Sequence, residues 1–134
     1  MEHGTFQEYQ ARLRVENAAM TCPVGRTLRL FQGKWAIRVL FELSKTDTVR
    51  FGALKQRVEG ITNTMLTSTL RQLEENGLVR REQFNEVPPH VEYALTEAGR
   101  DLYPIFIEIG RWGERYLPAP ADLNDVTMID PFHL

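Results

Sequence analysis

The sequence predicts a mainly α fold of the α+β class, with short helices followed by a β-hairpin and one long C-terminal helix. Up to residue 76, apolar residues recur at spacings of three and four, as in helices that pack on a core. Residues 78–84 and 91–95 are predicted to form two strands joined by a six-residue loop. The helical spacing returns over 97–117. The length of 134 residues, 43% hydrophobic and 25% charged, fits one globular domain.

The composition argues against several classes of protein. The chain has one Cys and three scattered His, so it lacks zinc-ligand spacing, and we expect no metal and no cofactor. No phosphate loop, paired carboxylates or Ser/His/Asp arrangement occurs in a catalytic context, so we do not expect an enzyme. The polar first ten residues and the short apolar runs predict neither a secretory signal nor a membrane span, which favours a cytoplasmic protein.

The charge is distributed unevenly along the chain. The net charge is −2, but residues 26–81 carry eleven Lys and Arg against five Asp and Glu. That stretch therefore nets +6, which leaves −8 for the rest of the chain. The asymmetry favours a surface that binds a polyanion such as nucleic acid. Solvated helix faces of mixed charge are the alternative explanation.

The first third of the chain is predicted to be helical. Residues 1–21 form an N-terminal extension whose apolar side chains follow helical spacing. Pro23 begins the next helix, over about 23–31, because proline suits a first helical position. Gly33 ends that helix. The following segment, 34–44, is apolar almost all round, which predicts a central, buried helix.

Two further helices, over 51–58 and 63–75, are joined by a turn that contains Gly60. Thr62 is a suitable N-cap for the second of them. Two helices joined by a tight turn are typical of a helix-turn-helix unit. The hairpin that follows, over 78–95, adds a two-stranded wing, so the sequence predicts a winged helix-turn-helix.

Helix 63–75 has one polar and one apolar face when its residues are placed at about 100° intervals. The apolar arc holds Met65, Leu66, Leu70 and Leu73, with Thr69 as its one polar member. The polar arc holds Asn63, Thr64, Thr67, Ser68 and Arg71. Asn pairs with adenine, Arg with guanine or a phosphate, and Ser and Thr with either. None of the five is acidic, so we predict that this face contacts DNA; an ordinary solvated face is the alternative.

The hairpin and the first helix of the pair supply further cations. Arg80 and Arg81 are strand neighbours and point to opposite sides, so only one can face DNA, and we favour Arg81. His90 in the loop and Arg50 at the start of helix 51–58 complete the predicted DNA-binding set. Two glutamates of the hairpin could instead pair with its arginines.

Residues 97–117 are predicted to form one long helix, capped by Thr96 and bent at Pro104. Its apolar stripe is wider than a small core can cover, and such stripes mark interfaces. We therefore predict a dimerisation helix, since symmetric dimers are the commonest assembly. The predicted interface residues are Leu102, Ile105, Phe106, Ile109, Trp112 and Tyr116. A helix that only covers its own domain is the alternative. Residues 118–134 are predicted to be an irregular tail.

A series of short motifs resembles the HxlR family of winged helix-turn-helix regulators, which are relatives of the MarR group. The motifs are Cys22-Pro23-Val24, Gly33-Lys34-Trp35, Arg50-Phe51-x-x-Leu54, Gly60-Ile61-x-x-x-Met65-Leu66, Asn76-Gly77-Leu78-Val79, Val87-Pro88-Pro89-x-Val91-Glu92-Tyr93, Gly99, Pro104 and Trp112-Gly113. The resemblance covers about residues 22–116. It implies a DNA-binding domain over 22–96 and a dimer whose terminal helices pair.

Some regulators that resemble this family sense oxidants or electrophiles through an N-terminal cysteine, which makes Cys22 a redox-sensing candidate. A thiol at a helix N-terminus lies near the positive end of the helix dipole, where reactive cysteines occur. Because the chain has one Cys, any disulfide must be intermolecular; an adduct or a sulfenic acid would be the other products. A Cys22 with a purely structural role is the alternative.

Together these observations predict a DNA-binding transcriptional regulator, a repressor, that acts as a homodimer on a pseudo-palindromic operator. It would respond to an oxidant, an electrophile or a small ligand. The alternatives are a winged-helix protein–protein adaptor and a small-molecule-binding protein without DNA binding.

Overall fold

The computed structural model of the chain describes residues 3–15 and 22–118. Its elements are α1 (Phe6–Val15), α2 (Pro23–Leu30), α3 (Ala36–Leu43), β1 (Val49–Arg50), α4 (Phe51–Arg57), α5 (Asn63–Glu75), β2 (Val79–Phe84), β3 (His90–Leu95), α6 (Glu97–Arg100) and α7 (Tyr103–Tyr116). They fall into two compact units, Met1–Gly33 and Lys34–Leu134. The predicted irregular tail lies outside the described residues, except for Pro118.

The first unit holds α1 and α2. The start of α1 is fixed by a reciprocal pair of hydrogen bonds, in which the Thr5 hydroxyl accepts from the Glu8 backbone N–H and the Glu8 carboxylate accepts from the Thr5 N–H. As predicted, Pro23 occupies the first turn of α2, which begins after Cys22. Val24 and Leu28 on α2 are exposed.

The second unit is built around α3, α4 and α5. The prediction of a buried helix over 34–44 is confirmed by α3, in which Val39 and Leu40 are fully inaccessible and Leu43 is 1% exposed. Leucines of α4 and α5 complete the core: Leu54, Leu66, Leu70 and Leu73. Burying a side chain of this size stabilises the fold by about 1.5–3 kcal/mol.

A three-stranded antiparallel sheet, ordered β1-β3-β2, covers one side of this core. The hairpin of β2 and β3 was predicted; the third strand, β1, was not. It is only two residues long, and it pairs with β3 through Val49 opposite Tyr93 and Arg50 opposite Glu92. Two residues are too few to show the alternation by which a strand is recognised.

The prediction of one continuous helix over 97–117 is wrong. The segment forms two helices, α6 and α7, separated by Asp101 and Leu102. Pro104 lies in the first turn of α7, where its missing N–H leaves no hydrogen bond unmade. The proline therefore begins a helix instead of bending one.

Thr96 links the end of α5 to α6. As predicted, it caps α6, because its hydroxyl accepts from the Gly99 N–H at 3.2 Å. The same hydroxyl donates to the Gly77 carbonyl at 2.6 Å, and the Thr96 N–H donates to the Leu78 carbonyl. A Cβ atom at Gly99 would overlap that Leu78 carbonyl oxygen, so the close approach of the two segments requires glycine.

Candidate nucleic-acid interface

Helices α4 and α5 form the predicted helix-turn-helix. The turn between them contains Gly60 at φ +85°, a left-handed conformation that favours glycine, and Ile61, which is 4% exposed. The Thr62 hydroxyl accepts from the Met65 N–H at 3.1 Å, so α5 begins at Asn63 as predicted. At its other end, Gly77 has φ +75° and closes α5. The orientation of α5 is thus fixed at both ends.

The exposed face of α5 carries the five polar residues that were predicted for DNA contact. They line one shallow depression of about 400 Å³: Asn63, Thr64, Thr67, Ser68 and Arg71. Behind them, Leu66 and Leu73 are fully buried, and Thr69 is 7% exposed on the core side as expected. Met65 departs from the prediction, because it is 41% exposed at the edge of the apolar face.

A second groove lies between α5 and the hairpin. It has a volume of about 350 Å³ and is lined by Thr67, Leu70, Arg71, Glu74, Arg81 and Tyr93. Arg81 thus lies beside the polar face of α5, on the side that we favoured. Its strand neighbour Arg80 projects from the other face of the sheet, because successive strand residues alternate.

The other two predicted DNA contacts, His90 and Arg50, lie elsewhere on the sheet. His90 is the first residue of β3, not a loop residue, and pairs with Phe84 in the register, which places it on the face opposite Arg81. Its ring stacks on Phe84 with centroids 4.7 Å apart, and its Nε2 is 3.4 Å from Oε2 of Glu92. Arg50 pairs with Glu92 and shares this face. The structure therefore does not bring His90 and Arg50 together with Arg81.

The residues that sequence reasoning missed are Glu74 and Tyr93. Glu74 follows Arg71 by three positions, so helical spacing alone could have placed it beside that arginine. Tyr93 could not have been found in this way, because its position depends on the pairing of Tyr93 with Arg81 across the hairpin. Two strands joined by a loop of several residues do not show their register in the sequence.

Cys22 lies in the first unit as the N-cap of α2, and it is partly exposed. Its side chain makes no capping hydrogen bond. Within residues 3–15 and 22–118, no group of three His, Cys, Asp or Glu side chains has a metal-binding arrangement.

Helix α7 carries an exposed apolar stripe. Ile105, Ile109, Trp112 and Tyr116 are between 39% and 62% exposed, and the rings of Trp112 and Tyr116 lie 5.2 Å apart. Leu102 is half-buried at the N-cap of α7. Phe106 differs from these four residues, because its ring packs edge-on against Phe41 of α3 with centroids 5.6 Å apart. Phe106 is half-buried, and its place in the interface stays a prediction.

A helix-turn-helix with a polar second helix, flanked by a β-hairpin that places an arginine beside it, defines the class of winged helix-turn-helix proteins. Sequence similarity to known proteins supports the assignment to this class. The family model described as HxlR-like helix-turn-helix matches residues 30–121. The chain is 42% identical over 91 residues to the uncharacterized HTH-type transcriptional regulator YdzF of Bacillus subtilis, covering 68% of this chain and 84% of that protein.

Two solved structures share the fold. One is a transcriptional regulator from Porphyromonas gingivalis described as MarR-family, with a TM-score of 0.67, 38% identity, and coverage of 72% of this chain and 93% of that chain. The other is the redox regulator HypR in its oxidized form, with a TM-score of 0.65, 41% identity, and coverage of 72% and 99%. The chain belongs to the HxlR-like helix-turn-helix family and is a DNA-binding transcriptional regulator.

None of the helices described within 3–15 and 22–118 combines the length and the apolar character that a membrane span needs.

Proposed function

We propose that this regulator represses transcription by binding a pseudo-palindromic operator as a homodimer, with α5 of each protomer in the major groove. One observation carries the proposal: the exposed face of α5 presents Asn63, Thr64, Thr67, Ser68 and Arg71 as a single surface, without an acidic residue. Such side chains match the donors and acceptors of base edges. The proposed DNA-binding set also includes Arg81. Arg50 and His90, on the other face of the sheet, remain part of the proposal only as flanking phosphate contacts.

The dimer is proposed to form through the stripe on α7. Four large apolar side chains that are at least 39% exposed would be costly to leave in water, and a second copy of the same helix offers a matching surface. We accordingly propose that residues 22–96 form the DNA-binding domain and that residues 97–117 form the dimer interface. The two copies of α5 would then read half-sites whose centres lie about 34 Å apart. A regulator of this kind needs no catalytic chemistry. The relatives come from prokaryotes, and in such a host a DNA-binding regulator works in the cytoplasm.

The first test is selection of binding sites from a random double-stranded DNA library, followed by fluorescence anisotropy on the selected site. We expect a two-fold symmetric sequence, and an affinity that falls roughly 10³-fold or more between about 50 and 200 mM salt. Asn63→Ala is expected to lose about 1–3 kcal/mol of discrimination at one A·T pair.

Gln72→Ala is the matched control for Asn63→Ala, since Gln72 is exposed on the same helix but does not line the polar depression. It is expected to leave the selected sequence unchanged. If the wild-type protein enriches no sequence at any salt concentration, the proposed function is wrong, and a protein–protein adaptor becomes the better hypothesis.

A redox response through Cys22 is the second part of the proposal, and the 41% identity to the redox regulator HypR supports it. With diamide as oxidant, two Cys22 thiols from two protomers form one disulfide, and diamide takes up the two electrons and two protons. We expect diamide to weaken operator binding by about 5–150-fold, the usual range of allosteric coupling. Anisotropy before and after treatment measures this change.

Cys22→Ser is expected to bind the operator with the same affinity before and after diamide. Non-reducing electrophoresis should show a cross-linked wild-type dimer that dithiothreitol reverses, and no such band for the variant. A variant that still releases DNA on treatment with diamide would exclude Cys22 as the sensor.

A further inference from the structure

A pocket of about 350 Å³ lies where the turn after α3, the end of β3 and the start of α7 meet. Its volume is within the range of small-molecule sites in proteins, about 300–1,000 Å³. Leu43 and Leu95 line the pocket and are buried, and Tyr103 lines it with a side chain that is 60% exposed. The pocket therefore offers an apolar group two aliphatic side chains and one aromatic ring to pack on.

Two charged side chains of opposite sign also line this pocket. Asp47 belongs to the turn after α3, and Arg100 is the last residue of α6. In the part of the chain that the structure describes, neither side chain takes part in an ion pair or a hydrogen bond. The third charge of the lining, Lys45, is already paired, because its Nζ lies 2.9 Å from Oε1 of Glu42. Asp47 and Arg100 are thus the charges of the lining that remain for a ligand.

The helix ends beside these two side chains add partial charges of the same signs. The C-terminal end of α3, which carries a negative partial charge, lines the pocket through Leu43 and the C-cap Ser44 and leads into Asp47. The N-terminal end of α7, which carries a positive partial charge, lines it through Tyr103 and follows Arg100. One side of the pocket therefore favours a cationic group and the other side an anionic group.

We propose that this pocket binds a free α-amino acid with an apolar side chain. The α-ammonium group donates to the Asp47 carboxylate, and the α-carboxylate accepts from the Arg100 guanidinium group, whose paired N–H donors match a carboxylate. The side chain of the ligand packs on Leu43, Leu95 and the ring of Tyr103. A simple carboxylic acid or a simple amine would leave one of the two protein charges without a partner, whereas an amino acid pairs with both.

The pocket is placed to couple this ligand to DNA binding, a consequence that rests on the proposed function. The turn that carries Asp47 leads directly into β1 and α4, and Arg57 of α4 donates from its Nη1 to the Thr46 hydroxyl at 3.4 Å. The other wall, with Arg100 and Tyr103, belongs to the segment proposed for dimerisation. A ligand that holds the two walls together fixes the helix-turn-helix relative to α7. We therefore expect the bound amino acid to change the operator affinity by about 5-fold or more.

Isothermal titration calorimetry on the DNA-free protein tests the site, with L-phenylalanine and L-leucine as probes. For each probe, two analogues are titrated in parallel: the acid that lacks the ammonium group and the amine that lacks the carboxylate group. We expect at least one of the two amino acids to bind, and to bind about 10-fold or more tightly than either of its analogues, since each analogue loses one charge-assisted hydrogen bond.

Substitutions test each charge against the ligand group assigned to it. Asp47→Asn is expected to remove the preference for the amino acid over the analogue without the ammonium group. Arg100→Gln is expected to remove the preference over the analogue without the carboxylate group. The matched controls are Glu75→Gln and Arg80→Gln, which remove exposed charges outside the pocket and should keep both preferences. Circular dichroism confirms that each variant is folded.

Three results would overturn the site: neither amino acid binds at millimolar concentration, an analogue binds the wild-type protein as tightly as its amino acid, or a control variant loses the same preference as its partner in the pocket. None of these titrations contains DNA, so such a failure leaves the proposed function intact. Anisotropy on the selected operator, with and without the amino acid that binds, tests the coupling, and an unchanged affinity would exclude it. If the protein binds the amino acid but no DNA sequence selectively, the proposed function fails and the site stands.

Discussion

Replacing Ile109 with glutamate is expected to dissociate the proposed dimer and to weaken operator binding by about 10²-fold or more. Ile109 lies in the middle of the α7 stripe and is 46% exposed in the protomer, so the substitution leaves the core intact. In a dimer, the substitution would bury two carboxylates against apolar side chains, which is strongly unfavourable. Loss of the dimer removes the second half-site, and linked sites typically contribute 10²–10⁴ in affinity.

The matched control is Ile107→Glu. Ile107 is 45% exposed on the same helix, but it lies about 200° around the helix from Ile109. The Ile107→Glu protein should therefore remain dimeric and bind the operator normally. Sedimentation velocity gives the oligomeric state, and anisotropy gives the affinity. Equal effects of the two substitutions, or a dimeric Ile109→Glu protein, would show that the stripe is not the interface.

Leu66→Ala is expected to reduce the free energy of unfolding by about 2–5 kcal/mol. Leu66 is fully buried on the core side of α5, so the substitution leaves a cavity directly behind the polar face. Met65→Ala is the control, because Met65 is its neighbour on the same helix and is 41% exposed. Urea unfolding followed by circular dichroism measures both variants.

A Leu66→Ala protein as stable as Met65→Ala would contradict the packing of α5 described above. A wild-type-like stability of both variants would mean that α5 is held chiefly by its capped ends. The sequence assigned both Met65 and Leu66 to the apolar arc of α5. A larger loss of stability for Leu66→Ala than for Met65→Ala would show that only Leu66 packs in the core.

The helix-turn-helix was predictable because its signals are local. Thr62 marks the start of α5, Gly77 marks its end, and the apolar spacing between them leaves one face for solvent. Both bounds of this helix were correct, and the polar face was predicted residue by residue.

The errors arose where a signal had two meanings or depended on tertiary structure. A proline inside an apolar pattern is compatible with a kink or with a helix start, and Pro104 turned out to begin α7. Phe106 follows the same spacing as the stripe, and only the structure shows that its ring packs on Phe41. The position of His90 on the sheet depended on the hairpin register, which the loop does not determine.

The hydrogen bonds of Thr96 have a mechanical consequence. The Thr96 hydroxyl joins the Gly77 carbonyl, which follows α5, to the first turn of α6, and Gly99 packs directly on the adjoining backbone. Because these contacts are direct, we expect a rotation of α6 to move the C-terminal end of α5 as well. In an assembly joined through α7, the spacing that the two copies of α5 can reach on DNA would be set in part by the stiffness of this joint.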